Sequence, residues 1–418
     1  MSRERFARFA LLFTVALVAG CQAAAPASSA KVPAMNSPAP SAASSHRFED
    51  DVAFLSRHAA VKVLTSNGGG RIAISGQYQA RVMTSAVEAN GQSLGFINRA
   101  FIEAGHTGTP FDNYGGEDRF WLGPEGGQYG LYFPSAKPFT FDNWQTPHAL
   151  QEGAWQTLRE TESSISYGHS FSVSNYQQQP FQVAIERTVT LLSREQASER
   201  LGLPLPASLT WVGYATENRL SNAGSSAWSE QRGLLSIWIL GMFAPVAGTQ
   251  VVIPFEPSAA GELVNDRYFG KVPSERLLVN EAKGFLAFRA DGQYRGKIGL
   301  GPARAKGVLG SYSEPQRLLT LVLYTKQRGA TRFVNSMWEQ QIEPYAGDEI
   351  NSYNDGPPAP GKPPLGGFYE IESSSPAAAL GPGESITHVH QTYHFSGPRA
   401  ELDALARHVL GVSLDDLP

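Results

Sequence analysis

Residues 181–192 read FQVAIERTVTLL, and the alternation in that run restricts the fold more than any other feature of the 418-residue chain. Apolar side chains at every second position share one face of a β-strand. Short runs rich in Val, Ile and Thr recur on either side of it: VKVLTS, GRIAISG, ARVMTSAVE, GTQVVIPF, GFLAFRA, KIGLG and RLLTLVLYT. Turn-forming segments such as NGGG and GQYQ divide the first of them. LLSIWILGMF is apolar without a break over the length of one strand, which fits a buried strand. Only three stretches read as helix. FEDDVAFLSRH has acids in its first turn and Arg57 and His58 in its last, a second spans about 194–201, and PRAELDALARHVLG lines up Leu402, Leu405, Val409 and Leu410. No repeat of 20 to 50 residues, which would mark a propeller or solenoid, is present. The expectation is an all-β sandwich or barrel with short peripheral helices.

The ends carry a different signal. Arg3, Arg5 and Arg8 precede a short apolar run, too short and wrongly flanked for a membrane span but suited to a secretory signal over residues 1–20. That run closes in LVAGC, which resembles a bacterial lipobox, and Cys21 is the only cysteine in the chain. The expectation is lipidation of Cys21, with no thiol left for a disulfide or for cysteine catalysis. Gln22 follows it, and by resemblance to Gram-negative lipoproteins this implies an outer-membrane anchor with the protein facing the periplasm. Residues 21–45, rich in Ala, Ser and Pro, read as a disordered tether, and residues 46–418 as one β-domain ending in a helix. The precursor has 34 basic and 38 acidic residues; residues 1–20 hold three Arg and one Glu, so the mature chain carries a net charge of −6. That balance, with no basic run, excludes nucleic acid as an expected partner.

Three segments gather chemistry. GGEDRFWLGPEGG sets Glu117, Asp118, Arg119, Trp121 and Glu125 between two glycine pairs. Read as a loop, it offers a guanidinium fork and an aromatic stacking face for a sugar; read as a structural turn, it pairs Arg119 with a neighbouring acid. In DEINSYNDGPPAPG, Asn351, Tyr353, Asn354 and Asp355 either line a site or make an ordinary turn. In FYEIESSSPAAALGPGESITHVHQTYHF, Glu370 and Glu372 are two apart and share a strand face, as do His388, His390 and His394. The histidines could bind a metal with a glutamate, contact sugar hydroxyls, or cover a half-buried face. Two neighbouring histidines without a fixed third ligand leave metal and cofactor unassigned.

YGGEDRFWLGPEGGQYGLYF, NRLSNAGSSAW and the closing GGFYEIESSSPAAALGPGESITHVHQTYHF, in that order, resemble segments of the galactose-mutarotase-like proteins related to aldose 1-epimerase. The first also resembles an uncharacterised family of secreted bacterial lipoproteins. The resemblance implies a β-supersandwich with a carbohydrate on a concave sheet face. It implies a glutamate base at Glu372, with Glu370 competing for or sharing the role. With it go expected substrate contacts from Arg119, Trp121, Glu125 and Trp238, and the residues themselves add Asn354, His388 and His390 as candidate contacts. The family's acid histidine should follow NRLSN on the next strand, but LLSIWILGMF has none and carries Trp238 instead; His148 and His169 match no family segment. Three readings therefore stand: an epimerase-like isomerase or other carbohydrate-active enzyme, a glycan-binding lipoprotein that keeps the fold without the acid, and a structural envelope lipoprotein with no small ligand.

Overall fold

The structure, a computed structural model, describes residues 46–105 and 110–418. The signal segment, Cys21 and the 21–45 tether lie outside the described residues.

The longest alternating runs form the centre of a ten-stranded antiparallel sheet. Its strands run, from edge to edge, Leu277–Asn280, Phe285–Arg289, Gln250–Pro254, Val308–Ser313, Leu318–Tyr324, Ser385–Ser396, Thr210–Asn222, Pro180–Leu191, Ser164–Ser174 and Gln156–Glu160. A five-stranded sheet is ordered Gly296–Leu300, Ile350–Asn354, Tyr369–Ser374, Ser236–Phe243 and Arg119–Gly123. Lys62–Thr65, Arg71–Ser75 and Arg81–Ala86 make a third, three-stranded sheet, joined to the segment before Arg119 by a bridge between Val82 and Asp118.

The two large sheets pack face to face. Ile237 and Ile239 of the smaller sheet meet Val183, Ile185, Val189 and Leu220 of the larger one, while Ile298, Ile350 and Ile371 meet Val251, Ile253, Leu309 and Val322. Each such fully buried side chain contributes about 1.5–3 kcal/mol. The far face of the ten-stranded sheet presents Trp211, Leu319, Leu321, Tyr393 and Phe395 to the helices Arg194–Leu201 and Arg399–Val409. Ser193 caps the first of these helices, accepting from the Gln196 backbone amide.

The three expected helices form at Phe48–Leu55, Arg194–Leu201 and Arg399–Val409. A short helix at Arg99–Ala104 was not expected. The continuous apolar run becomes Ser236–Phe243, buried at all eight positions, with neighbours on both edges and packing on both faces. The arrangement is the all-β sandwich expected, with helices at its periphery.

Candidate functional site

RFWLG does not form a loop. Arg119–Gly123 is the edge strand of the five-stranded sheet and pairs with Ser236–Phe243, with Arg119 opposite Leu240 and Trp121 opposite Trp238. What precedes it is a close approach that needs glycine. Gly115 and Gly116 have φ of 85° and 119°, and a Cβ on Gly115 would stand 2.1 Å from the Phe96 carbonyl oxygen. The two acids between the glycines and Arg119 point into the protein. Asp118 pairs with Arg187 at 2.6 Å, both side chains fully buried, and accepts from Thr216 Oγ1 at 3.1 Å. Glu117 accepts from Ser85 Oγ at 2.7 Å and lies 2.8 Å from His394 Nε2. These acids lock the strand to the ten-stranded sheet and so fix where Arg119 begins.

Strand pleat sends Arg119, Trp121, Trp238, Tyr353, Glu370, Glu372 and Lys297 to the face turned away from the ten-stranded sheet. Over that face lies a pocket enclosed mainly by aromatic rings, with about 470 Å³ of empty space when its opening to solvent is included. Trp144, Trp338, Phe141 and Phe269 help wall it. Trp144 and Trp338 stack 6.4 Å apart, and Trp121 meets Trp238 edge-on at 5.6 Å.

Two buried ion pairs cross the floor. Arg119 Nη2 donates to Glu370 Oε1, and its guanidinium lies 4.2 Å from the Trp121 ring centroid. Lys297 Nζ donates to Glu372 Oε2 at 2.9 Å, and Trp238 Nε1 donates to the same oxygen at 2.8 Å. Glu125, just past the strand, accepts from Trp144 Nε1 at 2.9 Å.

Burial pushes the Glu370 carboxyl up to about 8; Glu372 adds to the rise, while Arg119 and Lys297 oppose it. Burial likewise raises Glu125 and lowers Arg119. Burial works against the Lys297 ammonium, yet Glu372, Glu125 and Glu370 together hold its pKa above the usual value. Several buried polar atoms have no hydrogen-bond partner within the protein: Arg119 Nε and Nη1, Trp121 Nε1 and Glu372 Oε1. Buried groups of this kind are normally satisfied, and two of these residues, Arg119 and Trp121, line the pocket, where water or a polar guest would complete them.

The expected site residues thus separate. Arg119, Trp121, Glu125, Trp238 and Glu370 line the pocket; Glu372 does not, and lies fully buried on the same sheet face, bound to Trp238 and Lys297, which do line it. His388 and His390 do not reach it. They lie between the two large sheets, each 2.8 Å from Ser373 Oγ, because the 388–394 alternation faces the core. Burial pushes them down to about 3 and about 4, leaving neutral rings that share a hydroxyl. Asn354 is also outside the pocket. Its pleat position faces the core, where it accepts from the Gly292 amide at 2.9 Å and donates to the Tyr294 carbonyl at 2.8 Å. Among the described residues no group of three or more His, Cys, Asp or Glu is arranged to hold a metal.

Sequence reasoning missed Lys297, Arg295, Trp144 and Trp338. The available signal was RGK at 295–297, which puts two cations on one face at the start of a strand in an acidic chain. The two tryptophans lie on loops, where no periodicity marks them.

The profile of a family of unknown function, DUF6786, matches residues 46–418. No curated protein matches the chain significantly. It is similar in structure to a galactose mutarotase related enzyme from Lactobacillus acidophilus, with 10% identity, 81% of this chain and 98% of that one covered, and a TM-score of 0.45. It is also similar to a galactose mutarotase-like protein from Lactobacillus casei, with 10% identity, 80% and 100% covered, and a TM-score of 0.44.

Proposed function

The chain belongs to the DUF6786 family, and from its pocket we propose that it binds a carbohydrate there and interconverts its anomers. The observation that carries this reading is the set of partnerless polar atoms on pocket residues, Arg119 Nε and Nη1 and Trp121 Nε1, beneath tryptophan walls. A sugar ring offers hydroxyls to such atoms and C–H faces to such walls.

Anomer exchange needs an acid and a base flanking one hemiacetal. Glu370, whose pKa burial raises to about 8, serves in its protonated form as the acid that the family histidine would otherwise supply; in that form Arg119 stays on it as a hydrogen-bond donor in place of the ion pair. Glu372 is the base, with Oε2 held by Lys297 and Trp238 and Oε1 left unbonded. Glu372 takes the proton of the anomeric hydroxyl as Glu370 gives one to the ring oxygen. The C1–O5 bond breaks to the open-chain aldehyde, and closure on the other face returns both protons.

A glycan-binding role without chemistry is favoured by one feature: each carboxyl is engaged by a cation, Arg119 or Lys297, which weakens a base. The test uses soluble residues 46–418 in a thermal-shift screen of mono- and oligosaccharides. Any ligand found is then followed by NMR exchange between anomers. Glu372→Gln is expected to slow exchange by about 10²–10⁴-fold. Stabilisation without exchange would support the binder, and no stabilisation by any sugar would remove both readings.

Lipidation at Cys21, an outer-membrane location and orientation toward the periplasm belong to the same proposal and rest on LVAGC and Gln22.

A further inference from the structure

Three cations reach the pocket, and they are not equivalent. Arg119 and Lys297 each pair with a glutamate on the central Tyr369–Ser374 strand. Arg295, which enters the opposite edge strand from Arg119, forms no ion pair among the described residues. Its guanidinium is clamped by aromatic faces instead, 3.6 Å from the Phe269 centroid, 5.1 Å from Phe141 and 5.4 Å from Trp338. Its Nε is buried with no partner in the protein.

The backbone that carries it is fixed. Asn354 donates to the Tyr294 carbonyl at 2.8 Å, and Arg276 pairs with Asp291 at 2.6 Å. On that backbone the three aromatic faces hold the guanidinium at the pocket. Cation–π contact returns part of the desolvation cost of such a group, but it leaves N–H donors in the ring plane unused. An oxyanion in that plane would satisfy both the charge and the fork.

We infer that Arg295 is the recognition site for a negatively charged substituent of the bound sugar, so that the pocket selects an acidic saccharide, carrying a carboxylate, sulfate or phosphate, over its neutral parent. This rests on the proposed carbohydrate pocket. The mature chain is net negative, so the selection must come from the pocket and not from the overall field.

The experiment compares D-glucose, D-glucuronate, glucose 6-sulfate and glucose 6-phosphate by titration calorimetry on residues 46–418, and repeats the series with galactose and galacturonate. At least one charged sugar is expected to bind about ten- to a hundredfold more tightly than its neutral parent, and which one does so identifies the anion. Added NaCl should weaken that binding and leave the neutral sugar unchanged. Arg295→Gln should bring the affinity for the charged sugar down to that for its neutral parent in the same variant; Arg295→Lys should keep part of the preference. Neutral sugars binding as tightly as all charged ones would overturn the inference and leave the carbohydrate pocket standing. Failure of every sugar to bind would overturn both.

Discussion

Glu370 and Glu372 are two residues apart on one strand, but their surroundings separate them. Glu370 shares the pocket with Arg119 and is raised to about 8, whereas Glu372 has one oxygen fixed by Lys297 and Trp238. As the acid, Glu370 works only when protonated, so anomer exchange should hold steady through neutral pH and fall as pH rises through about 8. A pH–rate profile checks this: the descending limb should be absent in Glu370→Gln, and an identical limb in that variant would reassign the acid. His388 and His390 give the opposite sign, in stability. Unfolded imidazole titrates near 6.5, and the folded rings are pushed down to about 3 and about 4, so between these values protons favour the unfolded chain. Their contribution is complete above about 6.5 and declines as pH falls, on the order of 2–5 kcal/mol for the pair by pH 4.5. Asp118 and Arg187 act on His390, and His390 and Tyr324 face His388. Melting curves from pH 7 to 4.5 should show a flatter decline in His388→Asn/His390→Asn than in the parent. Parallel declines would mean that other groups carry the acid sensitivity.

At the scale of elements, the segment from Gly115 to Gly123 shows how a glycine-and-acid motif becomes a strand with one end locked. Gly115→Ala places a Cβ against the Phe96 carbonyl at a positive φ, and should cost about 2–3 kcal/mol by denaturant titration. Asp118→Asn breaks a fully buried pair and leaves Arg187 uncompensated, which should cost about 3–5 kcal/mol in the same assay. A loss under about 1 kcal/mol would show that the pair does not anchor the strand. The helices Arg194–Leu201 and Arg399–Val409 were legible because helical spacing is local, as in the apolar line of Leu402, Leu405, Val409 and Leu410. RFWLG was not. Its glycine-rich flanks read as loop, and the decisive contact is a pairing with Ser236–Phe243, more than a hundred residues away.

Across the whole molecule, four layers stack in order: pocket loops, five-stranded sheet, ten-stranded sheet and covering helices. The smaller sheet has two faces with different tasks, one greased by Ile237, Ile239, Ile298 and Ile371, the other carrying ions and tryptophans. That division explains why the closing histidines, though on the adjacent segment, sit on the wrong side of the sheet for the pocket. The proposed anchor acts at this scale too. With full-length precursor expressed in a Gram-negative host, Cys21→Ser should move the protein from the membrane to the soluble fraction. Unchanged partitioning would remove the lipid anchor from the proposal.

The residues alone determined what is local. Alternation of period two specified the strands, helical spacing of apolar residues specified the closing helix, and the spacing of Glu370 and Glu372 put both on one face. Only the tertiary structure decided which face becomes a pocket and which partners meet there. Arg119 finds Glu370 across 251 positions and Lys297 finds Glu372 across 75. Pleat fixes a side chain's face but not what packs over it, and burial, which sets the protonation of Glu370 and the histidines, exists only once the layers are assembled.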